Sequence, residues 1–149
     1  MTRSVSFQLR ALTAADAEAA ARLLGQLGYP ASPAALETRI TRAAAAHVES
    51  VAAEASDGRL IGLASMHRLQ LLTEDGPLAL LTSLVVEEGS RGSGVGRALV
   101  ERMCARAREL GCARITLTTH LRRSDAHAFY DRLGFEFTGR RYVRALSAP

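Results

Sequence analysis

The spacing of apolar positions changes several times along the chain, and each change marks an element. Val5 to Leu9 alternates as a first strand. Thr13, followed three residues later by Asp16, resembles a capping box and opens an Ala/Leu-rich helix to about Leu27. Gly28-Tyr29-Pro30 breaks that helix. Ser32-Pro33 places an N-cap before a first-turn proline and starts a second helix to about Ala46. Val48 to Ala55 and Leu60 to Leu72 read as two strands joined at Asp57-Gly58, a strong hairpin signal. After the turn Glu74-Asp75-Gly76-Pro77 comes the run LALLTSLVV, apolar on both faces and so expected in the middle of a sheet covered on both sides.

Past a glycine cluster, Val95, Leu99, Met103, Ala107 and Leu110 recur at helical spacing, and Gly111 ends that helix. ARITLTT, residues 113–119, reads as a strand. Ser124 or Asp125 caps a short helix to Leu133, stopped by Gly134. Phe135 to Thr138 and Tyr142 to Leu146 pattern as a closing hairpin. The order β-α-α-β-β-β-α-β-α-β-β predicts an α/β (α+β) fold. Its sheet is mixed, mainly antiparallel, and of about seven strands flanked by about four helices.

Length and composition narrow the class. A chain of 149 residues, 48% hydrophobic and 23% charged, is expected to fold as one domain over 1–149. No apolar run reaches the roughly 18 residues of a membrane span, and MTRSVSFQLR has no apolar signal core, so no membrane association and a cytoplasmic location are expected. Cys104 and Cys112 make neither a disulfide framework nor a metal site; they read as small apolar fillers, and no metal is expected.

The chain has 19 Arg and no Lys. Residues 1–90 hold 7 Arg against 10 acids, and residues 91–149 hold 12 Arg against 5, which together give the net charge of +4. The basic half suits an anionic ligand, since the guanidinium fork binds oxyanions bidentately; an equally plain reading is a solvated basic face. Aromatic residues are only 5% and no nucleic-acid-binding motif is present, so no nucleic-acid partner is expected.

The segment SLVVEEGSRGSGVGRALVERM carries the chemistry. A buried strand runs into Gly89, Gly92, Gly94 and Gly96 and then straight into a helix. Glycines allow a tight turn and a close approach to the backbone, and a helix start offers unpaired N–H groups with a positive dipole end. Together these make a phosphate cradle. A Walker A loop needs a Lys that this chain lacks. A dinucleotide fingerprint needs G-x-G-x-x-G and a later acid, whereas the spacing here is G-x-G-x-G and the next strand ends in Thr118, Thr119 and His120. A glycine-rich turn without a ligand is the remaining alternative.

RGSGVG followed by RAL resembles the R-x-x-G-x-G acetyl-coenzyme A signature of the GNAT N-acetyltransferase superfamily, on Arg91, Gly94 and Gly96. AHAFYDRLGF resembles that family's later A-x-x-x-Y-x-x-x-G-F signature, on Ala126, Tyr130, Gly134 and Phe135. The ordered pair is far more specific than either motif alone. The resemblance covers about 48–146; the first two helices match in order only.

The resemblance implies a GNAT-like sheet with splayed central strands, acetyl-CoA as acetyl donor, and direct attack of an amine on the thioester. It implies that the coenzyme A pyrophosphate lies on the amides of Arg91, Gly92, Ser93, Gly94, Val95, Gly96 and Arg97. The pantetheine arm pairs with Leu84, Val85 and Val86, and an N–H near Val86 polarises the thioester carbonyl. Phe129 and Tyr130 also contact the cofactor, and Tyr130 takes the general-acid position for the thiolate leaving group; packing in a core is the other role open to it.

Two departures stand out. The position where many members carry a base Glu holds Thr82, which leaves His120, His67 or an ordered water chain as candidate base, with His120 first. Arg123 replaces a common Asn and could reach a coenzyme A phosphate or an acidic substrate. Tyr29, in the loop between the first helices, is a candidate acceptor-side residue, and His120 a second. The expected partner is a small-molecule amine, with a homodimer as the common symmetric state. Protein-directed acetylation and a non-catalytic coenzyme A-binding module are the alternatives.

Overall fold

The structure is a computed structural model, and it describes residues 4–118 and 124–146. The chain forms two compact units, Met1–Leu117 and Thr118–Pro149.

The first unit holds a five-stranded sheet in the order β1-β2-β3-β4-β5: β1 Phe7–Ala11, β2 Glu49–Ala55, β3 Leu60–Leu69, β4 Leu78–Val86 and β5 Ile115–Leu117. The first four strands pair antiparallel, and β5 pairs parallel to β4. The run LALLTSLVV is an interior strand beside the edge strand β5, not the middle of the sheet, which is β3. Helix α1 spans Ala17–Gln26, α2 Pro33–Ala45 and α3 Val95–Glu109. Ala20 and Leu23 of α1 and Leu36 of α2 pack with Ala52, Leu63 and Val85 of the sheet. Gly62 precedes Leu63 and so belongs to the opposite face. A Cβ there would meet Val95 Cγ1 at 3.0 Å and Leu99 Cδ1 at 3.1 Å, which puts α3 on that face. Leu99, Val100 and Met103 are fully buried, each contributing about 1.5–3 kcal/mol of burial.

The start signals hold with one refinement. Ser32 Oγ accepts from Ala35 N–H at 3.1 Å, with Pro33 in the first turn of α2. Asp16 accepts the Thr13 N–H at 2.9 Å, but residues Ala14–Asp16 form a 3-10 turn before α1 begins. The helix ends share one device. In α1, Gly28 N–H donates to Gly25 O and Tyr29 N–H to Leu24 O, with Gly28 at φ +97°. Gly111 closes α3 in the same way, and His47 closes α2 in the left-handed region at φ +57° without being glycine.

The second unit contains α4, Ser124–Arg132, closed by Gly134 at φ +84°. Here the expectation of about seven strands is corrected: among the described residues the sheet has five. Residues 135–138 and 142–146 take no strand structure, and Phe137, Tyr142, Val143 and Leu146 are exposed. Alternation describes how a strand would divide its faces, but a strand forms only against a partner edge, and an isolated hairpin is marginal in water. The third and fifth strands are also shorter than the pattern: β3 stops at Leu69, and β5 is three residues long.

Candidate functional site

The glycine turn sits where β4 feeds α3. Glu88–Ser90 form one 3-10 turn, and Gly92 and Gly94 follow at φ +78° and +90°. Gly94 is the N-cap of α3, with no side-chain capping bond, and the first helical bond runs from Ala98 N–H to Gly94 O. The N–H groups of Val95, Gly96 and Arg97 therefore precede the helical ladder. A Cβ added at Gly92 or Gly94 would meet nothing within 4 Å, so the space in front of the turn is open. Open space, bare amides and the positive end of a 15-residue helix fit a diphosphate.

The outward edge of β4 adjoins this turn. Glu87 N–H donates to Ile61 O at 2.8 Å on β3, and Val85 pairs with Leu63 in the same register. By alternation the backbone groups of Leu84 and Val86 face away from β3, while those of Val85 are taken by β3. Among the described residues, pairing of β4 with β5 covers Ala79, Leu80 and Leu81. Among the described residues, the one bond to the outward edge beyond Leu81 is Arg91 Nε to Val86 O at 3.3 Å. An extended chain could pair along this edge as an added strand.

A feature not legible in the sequence lies beside it. A register shift between Ser65 and Met66 sets Thr82 against Ser65, with their hydroxyl oxygens 3.0 Å apart. Ser50, Ser65 and Ser83 stand in register across β2, β3 and β4. The shift brings hydroxyls together where periodicity alone assigns only alternate faces.

In the second unit, the Tyr130 ring meets Phe129 at 5.2 Å and Phe135 at 5.5 Å, both edge to face. The ring is thus held in an aromatic cluster on α4 and its cap. His120 and Arg123 lie outside the described residues.

A sequence profile of the acetyltransferase (GNAT) family matches residues 23–135, which spans the boundary between the two units. This chain belongs to the GNAT acetyltransferase family. Among GNAT relatives, it is 35% identical to an aminoglycoside N(6')-acetyltransferase type 1 of Stenotrophomonas maltophilia, over 89% of this chain and 88% of that one. It is 31% identical to a glucosamine 6-phosphate N-acetyltransferase of Trypanosoma brucei brucei, over 91% and 92%. Its fold matches that of an aminoglycoside N-acetyltransferase solved in complex with CoA, with a TM-score of 0.83, 22% identity, and coverage of 99% of both chains.

As a GNAT protein the chain is an acyltransferase, and its acetyl donor is acetyl-CoA. The remaining candidates sort simply. Tyr29 is 63% exposed just past α1, where its side chain is open to a ligand. His67 is half-buried on β3, paired with Leu80. Burial, with Glu101 nearby, pushes the Cys104 thiol up, which keeps it protonated and unreactive. Among the described residues no cluster of His, Cys, Asp and Glu could hold a metal, and no helix is long and apolar enough to cross a membrane.

Proposed function

We propose that this enzyme acetylates a primary amine of a small molecule, by direct transfer with donor and acceptor bound together. The left-handed Gly94 N-cap, opening on uncapped helix amides at the end of β4, carries this reading. Acetyl-CoA supplies the acetyl group as an activated thioester. The amides from Arg91 to Arg97 hold its diphosphate, and the outward edge at Leu84 and Val86 holds its pantetheine arm. Val86 N–H stabilises charge on the carbonyl oxygen, as a fixed donor needs no reorganisation to do so. Tyr130, steadied by Phe129 and Phe135, gives a proton to the departing thiolate.

A small acceptor is favoured because both relatives named above act on small amines and match nearly their whole length. The hydroxyls of Ser65 and Thr82 suit a hydroxylated acceptor beside that edge. Thr82 cannot act as a base, so proton removal from the incoming ammonium falls to His120, to His67 or to water. The two units work as one acetyltransferase domain.

The test is thiol release from acetyl-CoA against a panel of amino sugars, aminoglycosides, simple alkylamines and peptides. Rapid release with a small amine supports the reading. Release with peptides alone, or CoA binding without release on any amine, overturns it.

A further inference from the structure

One carboxylate ties the glycine turn to parts of the chain remote in sequence. Glu87 follows the last residue of β4, and its side chain is 13% accessible. It accepts from Arg22 Nη1 of α1 at 2.8 Å, from Arg59 Nη1 of the β2–β3 turn at 3.2 and 3.3 Å, and from Ser90 Oγ at 3.2 Å. Arg22 uses its other terminal nitrogen on Leu60 O at 2.8 Å. The next residue, Glu88, donates its N–H to Gln26 Oε1 of α1 at 3.1 Å. The first residues of the turn are thus bonded to α1 and to the hairpin, and buried Ser90 passes that anchorage on: the Ser93 hydroxyl donates to the Ser90 carbonyl.

The charge of Glu87 is unfavourable for this location. A carboxylate near a diphosphate seat opposes an anion, and its removal would release two guanidinium groups toward the ligand. Coulomb's law alone predicts that a neutral residue here tightens coenzyme A binding. The geometry points the other way, because the carboxylate is what gathers Arg22, Arg59 and Ser90 into one arrangement.

We propose that Glu87 is a positioning residue for coenzyme A: it fixes the glycine turn in the form that presents its amides, at an electrostatic cost offset by Arg22 and Arg59. The proposal rests on the reading of that turn as the diphosphate seat. It concerns no group that touches the reacting atoms, so its signature is in cofactor affinity and not in turnover.

The experiment is calorimetric titration of CoA onto the wild-type chain and Glu87→Gln, with urea unfolding of each to confirm a folded state. Glu87→Gln is expected to weaken CoA about tenfold, the loss of a charge-assisted network. Its KM for acetyl-CoA should rise in step while kcat stays within about twofold. Glu87→Asp keeps the charge but shortens the reach, and is expected to bind nearly as weakly. Affinity equal to or tighter than wild type in Glu87→Gln overturns the proposal. Should that variant not fold, Ser90→Ala carries the test, since it removes the bond by which the Glu87 carboxylate reaches into the turn, with no change of charge. Weaker CoA binding there supports the proposal, and unchanged binding overturns it. A wild-type chain that binds no CoA overturns the seat itself and the proposal with it.

Discussion

The main-chain N–H of Phe135 donates to the carbonyl of Tyr130 at 3.1 Å, while their rings meet edge to face with centroids 5.5 Å apart. The two contacts are one motif. Gly134, left-handed at φ +84°, turns the chain out of α4 so that the residue after it folds back onto the last turn. The spacing Y-x-x-x-G-F is therefore a helix stop with its apolar clasp, and it steadies the tyrosine as a by-product.

Tyr130→Phe keeps both ring contacts and removes only the hydroxyl. Turnover is expected to fall about 100-fold, in line with the loss of a general acid. The KM for acetyl-CoA should stay near the wild-type value. Thiol-release kinetics check both, and unchanged turnover would remove Tyr130 from the acid role.

Gly94→Ala adds a methyl that meets nothing within 4 Å, so it cannot clash. It must still hold φ near +90°, at a cost of about 1–2 kcal/mol. The backbone will shift to relieve that, and CoA affinity is expected to drop about tenfold. Gly94→Glu, which adds a like charge at the seat, should abolish measurable binding. Retained affinity in both variants would rule out the cradle.

His47 holds α2's closing position at φ +57°, where the other helices use glycine. His47→Gly relieves the strain and keeps the bond from Val48 N–H to Ala43 O. A gain of about 1 kcal/mol is expected from urea unfolding, reduced somewhat by the extra freedom of glycine in the unfolded chain.

Arg10 binds Asp16 through two terminal nitrogens at 2.8 and 2.9 Å, and Glu54 through Nε at 2.6 Å. The side-chain bonds from Arg10 hold the Asp16 carboxyl below its usual range. Folding thus favours the ionised form, so the stability it adds is complete above the unfolded carboxyl's value and is lost as pH falls through the lower folded one. Asp16→Asn is expected to cost about 1–2 kcal/mol at neutral pH and to flatten the loss of stability below about pH 4. Urea midpoints across pH check this, and an acid limb identical to wild type would contradict it.

What the sequence made legible was local in origin. Helix starts at Ser32, helix stops at Gly28, Gly111 and Gly134, and the apolar strand Leu78–Val86 all follow from neighbouring residues, and all stand in the structure. The glycine turn was legible for the same reason, since strand, glycines and helix are contiguous. The closing hairpin was not, because alternation in residues 135–146 says nothing about a partner edge. Nor was the Glu87 network, whose arginines lie 65 and 28 positions away and meet it only through the sheet. The pairing of Ser65 with Thr82 depends on a register shift that no local pattern announces.

At Gly62 the gap between β3 and α3 is too narrow for one more carbon: besides Val95 and Leu99, the carbonyl of Val85 lies 3.2 Å from where it would stand. That missing methyl sets how deeply the first turn of α3 nestles into the sheet, and so the offset between the helix mouth and the rim of β4. An alanine there would act as a shim, lifting one half of the donor's berth off the other. The enzyme can reshape its acceptor loops freely, yet this gauge must stay as it is for a ligand that spans both halves.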